Sequence, residues 1–136
     1  METENRPEVL VIDDDPTVAD TLAMVLNISG FKATTAYTGE GAVELAGKNR
    51  FDYLVTDVVM NGMNGIEAAL AIRALLPECH VLLMSGNNNT SELLAAASAR
   101  GNDFNILAKP VHPSVMLAQM RAQGTSGGLM DQAGSA

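Results

Sequence analysis

Five short apolar runs, each followed by a stretch of helical spacing, constrain this 136-residue chain more than any other feature. The first run, "VLVI" (Val9–Ile12), is continuously apolar, as a parallel strand covered on both faces must be. Pro16 then suits a first helical turn, and Val18, Leu22, Val25 and Leu26 recur at helical spacing up to a stop at Gly30. "FKATTAY" (31–37) reads as the second strand, and Thr38 caps a predicted helix to Lys48 with Ala42, Leu45 and Ala46 inward. "FDYLVTD" (51–57) is the third strand, ahead of a loop with two Asn-Gly turns and a helix over 65–76. "HVLLMS" (80–85) and "FNILA" (104–108) are the fourth and fifth strands. Helices are predicted over 91–100 and 113–122, with Val115, Met116 and Met120 available for packing.

This alternation implies βαβ units and one parallel sheet. Right-handed crossovers and five strands predict an α/β, doubly wound, flavodoxin-like (βα)5 fold of strand order 2-1-3-4-5. One domain over residues 8–122 is expected, with an N-terminal extension at 1–7 and a flexible Gly/Ser-rich tail at 123–136.

Composition narrows the function classes. A formal net charge of −8 argues against a nucleic-acid-binding surface, which requires a basic stripe. Cys79 is the only cysteine, so no internal disulfide can form. The N-terminus has no apolar signal core, and no run reaches the ~18 residues of a membrane span. A cytoplasmic location without membrane contact is expected.

Three consecutive acids, Asp13, Asp14 and Asp15, follow the first strand. At ~4–5 Å and an effective dielectric of ~20, each like-charge pair costs roughly 3–4 kcal/mol. In open α/β sheets, ligands bind beyond the carboxyl ends of the strands. Asp13 and Asp14 end strand 1, Asp57 ends strand 3, Ser85 ends strand 4 and Lys109 follows strand 5. Singly, each has an ordinary account: a helix cap, a turn former, a local hydroxyl bond, a solvated lysine. Jointly they share one sheet edge. Three facing carboxylates make an oxygen-only site suited to Mg²⁺ and phosphate. A carboxylate there can attack phosphorus, with Lys109 and a cation offsetting the developing charge and the Ser85 hydroxyl donating to it.

"VIDDDP", "VTDVVMNGMNG", "LLMSG" and "LAKPV" occur in an order and spacing that resembles the receiver domain of two-component response regulators, over about residues 8–122. The similarity is to the single-domain, chemotaxis-regulator-like type, since only a short tail follows. It implies that Asp57 is the phosphoacceptor, taking a phosphoryl group from a histidine kinase or phosphotransfer protein. It implies Mg²⁺ ligation by Asp14, Asp57 and the backbone carbonyl of Val59, with Asp13 acting through water. Asp15 is left as a helix cap. Ser85 and Lys109 become the phosphate-binding and switch residues, and a cis Lys-Pro bond is implied at Pro110. Output is then a protein contact or onward phosphotransfer to an unnamed downstream partner. The helix 91–100, the fifth strand and the last helix form the expected face for a partner or a phosphorylation-dependent homodimer.

Three departures from the family pattern stand out. Ile106 occupies the switch position where an aromatic is usual, and Phe104 is no substitute; Asn61 replaces the usual proline. Val59 offers no polar group to orient a hydrolytic water, which leaves Asn87 as the nearby polar residue and predicts slow self-dephosphorylation. The rival readings are a Mg²⁺-dependent aspartyl-nucleophile phosphatase and a degenerate receiver that only binds. The first needs an acid where Val59 stands; the second is at odds with the intact acid set. The chain is therefore expected to be a signalling switch and not a turnover enzyme.

Overall fold

The computed structural model describes residues 6–86, 95, 104–109 and 111–133, with the backbone alone over 124–133. Among them are five strands and four helices. In chain order these are β1 (Glu8–Ile12), α1 (Pro16–Ile28), β2 (Lys32–Ala36), α2 (Gly39–Lys48), β3 (Tyr53–Asp57), α3 (Gly65–Leu75), β4 (His80–Ser85), β5 (Asn105–Ala108) and α4 (Pro113–Ala133). All strand pairs are parallel, and the sheet order is β2-β1-β3-β4-β5, as the alternation predicts.

Strand residues alternate between two apolar layers. Leu10, Ile12, Leu54, Val81 and Leu83 face α2 and α3, where Ala42, Ala46, Ile66, Ala69 and Ile72 are buried. Val9, Val11, Tyr53, Val55, Leu82 and Met84 face the other way, onto Ala19, Leu22 and Leu26 of α1 and Met116 and Met120 of α4. The continuous apolar runs thus follow from burial on both faces. Each fully buried Leu or Ile contributes roughly 1.5–3 kcal/mol. The two edge strands, β2 and β5, are less buried, and Ile106 of β5 stays 38% exposed.

Local signals set the helix ends. Asp15 caps α1 by accepting from the Thr17 N–H, with Pro16 in the first turn. Thr38 caps α2 through the Gly41 N–H. Asn64 and Glu67 form a reciprocal capping box at α3. After α1 the chain turns at Gly30, whose φ of 101° lies in the left-handed region.

The structure departs from expectation at the last helix. α4 does not stop at Ala122 but continues to Ala133, through part of the stretch expected to be a flexible tail. Glycine lowers helix propensity by about 1 kcal/mol per residue, yet extending a formed helix adds one backbone hydrogen bond per residue. The helix predicted over 91–100 lies outside the described residues, except that Ala95 is helical. No helix among the described residues is long and apolar enough to cross a membrane.

Candidate functional site

Strand register brings the polar residues together. Ile12 pairs with Thr56, so Asp13 and Asp57 emerge side by side. Asp57 pairs with Met84, and Ser85 with Ala108, which places Ser85 and Lys109 at the same carboxyl edge. The ladders run one residue further: Val58 N–H donates to the Met84 carbonyl and Lys109 N–H to that of Ser85, both at 3.0 Å. Backbone hydrogen bonds therefore fix where these side chains start.

Asp13, Asp14 and Asp57 each offer a carboxylate oxygen within 4.8 Å of the other two. Asp13 is only 2% exposed. Its Oδ1 accepts the Asp15 N–H at 2.9 Å, whereas its buried Oδ2 accepts no hydrogen bond. Burial raises the Asp13 carboxyl above its ordinary 3.8; the Asp15 N–H and Lys109 oppose this, and Asp57 and Asp14 add to it. The Lys109 ammonium lies 3.1 Å from Asp57 Oδ2 and 3.8 Å from Asp13 Oδ2. The Asp14 Oδ2 accepts the Asn61 N–H at 3.1 Å in a solvent-exposed contact.

Two of these three carboxylates pair with one ammonium. At 4.8 Å and an effective dielectric of ~20, each remaining like-charge pair costs about 3.5 kcal/mol. An oxygen-only donor set, one of whose buried oxygens lacks a hydrogen bond, fits a hard divalent cation such as Mg²⁺. The same geometry suits a phosphoryl group on Asp57, whose extra oxygens would meet Lys109 and the cation.

Ser85 is buried at the end of β4. Val59 is 54% exposed and lies in the loop just after Asp57. Ile106 sits on β5, three residues before Lys109. Asn87 and Pro110 lie outside the described residues, as does any isomer of the Lys-Pro bond.

Two supporting residues escape sequence reasoning. The Thr56 hydroxyl is fully buried and donates to the Asp57 carbonyl at 3.0 Å. Gly65 opens α3 against the back of Asp57: a Cβ there would lie 2.0 Å from the Asp57 carbonyl oxygen. Only glycine allows that approach. The second "NG" of the loop hints at Gly65, but its partner is set by tertiary packing.

Comparison with known proteins places the fold and the family. TcrX of Mycobacterium tuberculosis, described as a probable transcriptional regulatory protein, is 32% identical over 114 residues, 84% of this chain and 48% of that one. The chain thus spans about half the length of the curated relatives it matches. A CheY-like receiver domain protein from Methanospirillum hungatei superposes with a TM-score of 0.79 at 19% identity, covering 96% of this chain and 99% of that one. A response regulator from Burkholderia pseudomallei, solved with a phosphorylated aspartic acid, a calcium ion and citrate, gives 0.75 at 24% identity over 96% and 75%. At those identities the two structures show a shared fold. Residues 9–121 match the family model of the response regulator receiver domain. This chain, over most of its length, belongs to the response regulator receiver domain family.

Proposed function

We propose that the protein is a phosphorylation-dependent switch in which Asp57 accepts a phosphoryl group from a histidine kinase or a histidine phosphotransfer protein. One observation carries the reading: Asp57 stands beside Asp13 and Asp14 with Lys109 3.1 Å from its carboxylate. Structural ion pairs seldom set a lysine against two of three clustered acids at a sheet edge where ligands bind.

In the transfer, an Asp57 carboxylate oxygen forms a bond to phosphorus as the phosphorus–nitrogen bond of the donor phosphohistidine breaks. The imidazole leaves with the bonding electron pair. Lys109 neutralises Asp57 before transfer and attracts the phosphoryl oxygens after it. The Ser85 hydroxyl, at the adjacent strand end, donates to the same oxygens. Asp14, Asp57 and the Val59 carbonyl would hold Mg²⁺, with Asp13 reaching it through water. The ion supplies charge compensation for the transferring group.

Output then runs through protein contacts or onward transfer, in keeping with an acidic chain that offers nucleic acid little attraction. The face carrying Ile106 of β5 and the exposed Val115 of α4 is the proposed partner or homodimer surface. The central test is incubation with acetyl phosphate and Mg²⁺, followed by intact-protein mass measurement. One phosphate-sized increment is expected in the wild type and none in Asp57→Asn; an equal increment in both refutes the assignment.

A further inference from the structure

The loop 58–64 leads from Asp57 to α3 and includes Val59. Its two ends are held by backbone: Val58 N–H to the Met84 carbonyl, and Gly65 N–H to the Val58 carbonyl at 2.8 Å. Its crest is held by carboxylates from elsewhere. Asn61 N–H donates to Asp14 Oδ2 at 3.1 Å, and Met63 N–H donates to Glu40 Oε2 at 3.3 Å.

Glu40 lies in the first turn of α2, far from the acid cluster in sequence and exposed to solvent. Two glycines shape the contact around it. Gly62 has a φ of 75°, a left-handed turn that presents Met63 to the carboxylate, and a Cβ on Gly62 would stand 3.2 Å from Glu40 Oε2. On the helix side, a Cβ at Gly39 would meet the Met63 side chain at 3.0–3.1 Å. The start of α2 and the loop after Asp57 are thus fitted to each other at three points: Gly39 on Met63, Glu40 on the Met63 amide, and Glu40 on Gly62.

We infer that Glu40 is a positioning residue for phosphoryl chemistry at Asp57, acting through the Met63 amide to hold the loop that follows the phosphoacceptor. Asp14 is the other carboxylate on the crest and the one that the cation site recruits. Glu40 is the tether independent of that site. An acid in the first turn of a helix also complements the helix dipole. That role depends on charge, whereas the tether depends on an acceptor oxygen.

The inference rests on the reading of Asp57 as phosphoacceptor, and the test separates the two. Glu40→Ala removes both charge and acceptor; Glu40→Gln keeps an acceptor oxygen and removes the charge. Amide hydrogen exchange at Met63 is measured in the metal-free, unphosphorylated full chain, and phosphate uptake from acetyl phosphate is followed with Mg²⁺. In Glu40→Ala, Met63 exchange is expected to speed up, and uptake to slow, by roughly three- to tenfold each. Glu40→Gln is expected to restore both to within about twofold. Wild-type uptake matched by Glu40→Ala overturns the inference alone, as does a Gln variant as impaired as the Ala variant. A wild type that takes up no phosphate overturns the Asp57 reading and this inference with it.

Discussion

β3 has an aspartate just before its first residue and another at its last, and the two live in opposite surroundings. Asp52 accepts the Glu8 N–H on its side chain at 2.9 Å and the His80 N–H on its carbonyl, also at 2.9 Å, with Arg50 at 3.8 Å. Asp57 sits among Asp13 and Asp14, with Lys109 as its countercharge. The first acid staples three strand starts together through ordinary hydrogen bonds. The second is held where acids repel. A carboxylate whose neighbours are amides is structural; one whose neighbours are carboxylates needs a cation or phosphate to complete it.

The largest expected difference between these two ends is chemical. Asp57→Asn should abolish phosphate uptake, while Asp52→Ala should leave it within about twofold and lower stability by roughly 1–2 kcal/mol in urea melts. Impaired uptake in Asp52→Ala with Asp57→Asn unaffected would reverse the comparison. Next comes the lifetime of the phosphorylated form. Val59→Asn places a polar group where a hydrolytic water could be oriented, so it should lose phosphate several-fold faster than the wild type, on the order of 3- to 10-fold. A slower variant contradicts the proposed role of Val59.

Asp13→Asn tests the electrostatic cost directly. Because burial holds the Asp13 carboxyl above 3.8, its ionisation weakens the metal-free fold. The associated stability is complete below pH 3.8 and is lost as pH rises through the higher folded-state value. Asparagine keeps an oxygen for the Asp15 N–H and removes the charge, at the loss of the Lys109 ion pair. The metal-free variant should be relatively more stable near neutral pH than at acid pH, compared with the wild type, and be stabilised less by added Mg²⁺. Thermal melts at acid and neutral pH, with and without Mg²⁺, measure both; an equal Mg²⁺ response in the two proteins counts against Asp13 as part of the cation site.

The last effect, confined to alkaline pH, belongs to the amino-terminal end of the sheet. Burial pushes the Cys79 thiol up to about 12 from an ordinary 9.0, against a lowering influence of Arg73. The neutral thiol's contribution is complete below pH 9 and declines as pH rises towards 12, by at most about 1.4 kcal/mol per pH unit. Wild type should therefore lose more stability than Cys79→Ala between those limits, and its folded form should react slowly with thiol reagents at pH 8. Parallel urea melts across that range decide the first point.

Much of this was readable from sequence because both governing patterns are local or nearly so. Continuous apolar runs reveal strands buried on two faces, and parallel topology then sends every strand end to one edge, which assembles Asp13, Asp14, Asp57, Ser85 and Lys109 without any contact being known. Capping by Asp15 and Thr38 was equally legible, since an N-cap acts within three residues. Tertiary fits were not. Nothing near Glu40 in the chain points to the Met63 amide, and nothing near Gly65 reports that the Asp57 carbonyl comes within reach of its missing Cβ. The extent of α4 was missed for another reason: glycine content measures a propensity, and propensity does not fix where a helix stops.

Register has an evolutionary corollary. Each reactive side chain stands at a set count of residues along its own strand, and alternate residues point to opposite layers. Deleting a single codon within β3 would draw Val58 into the place of Asp57 and turn the strand's apolar side chains inside out. Length variation among descendants of this chain should therefore collect in the connections and at the termini, while the strands themselves tolerate replacement but neither insertion nor loss.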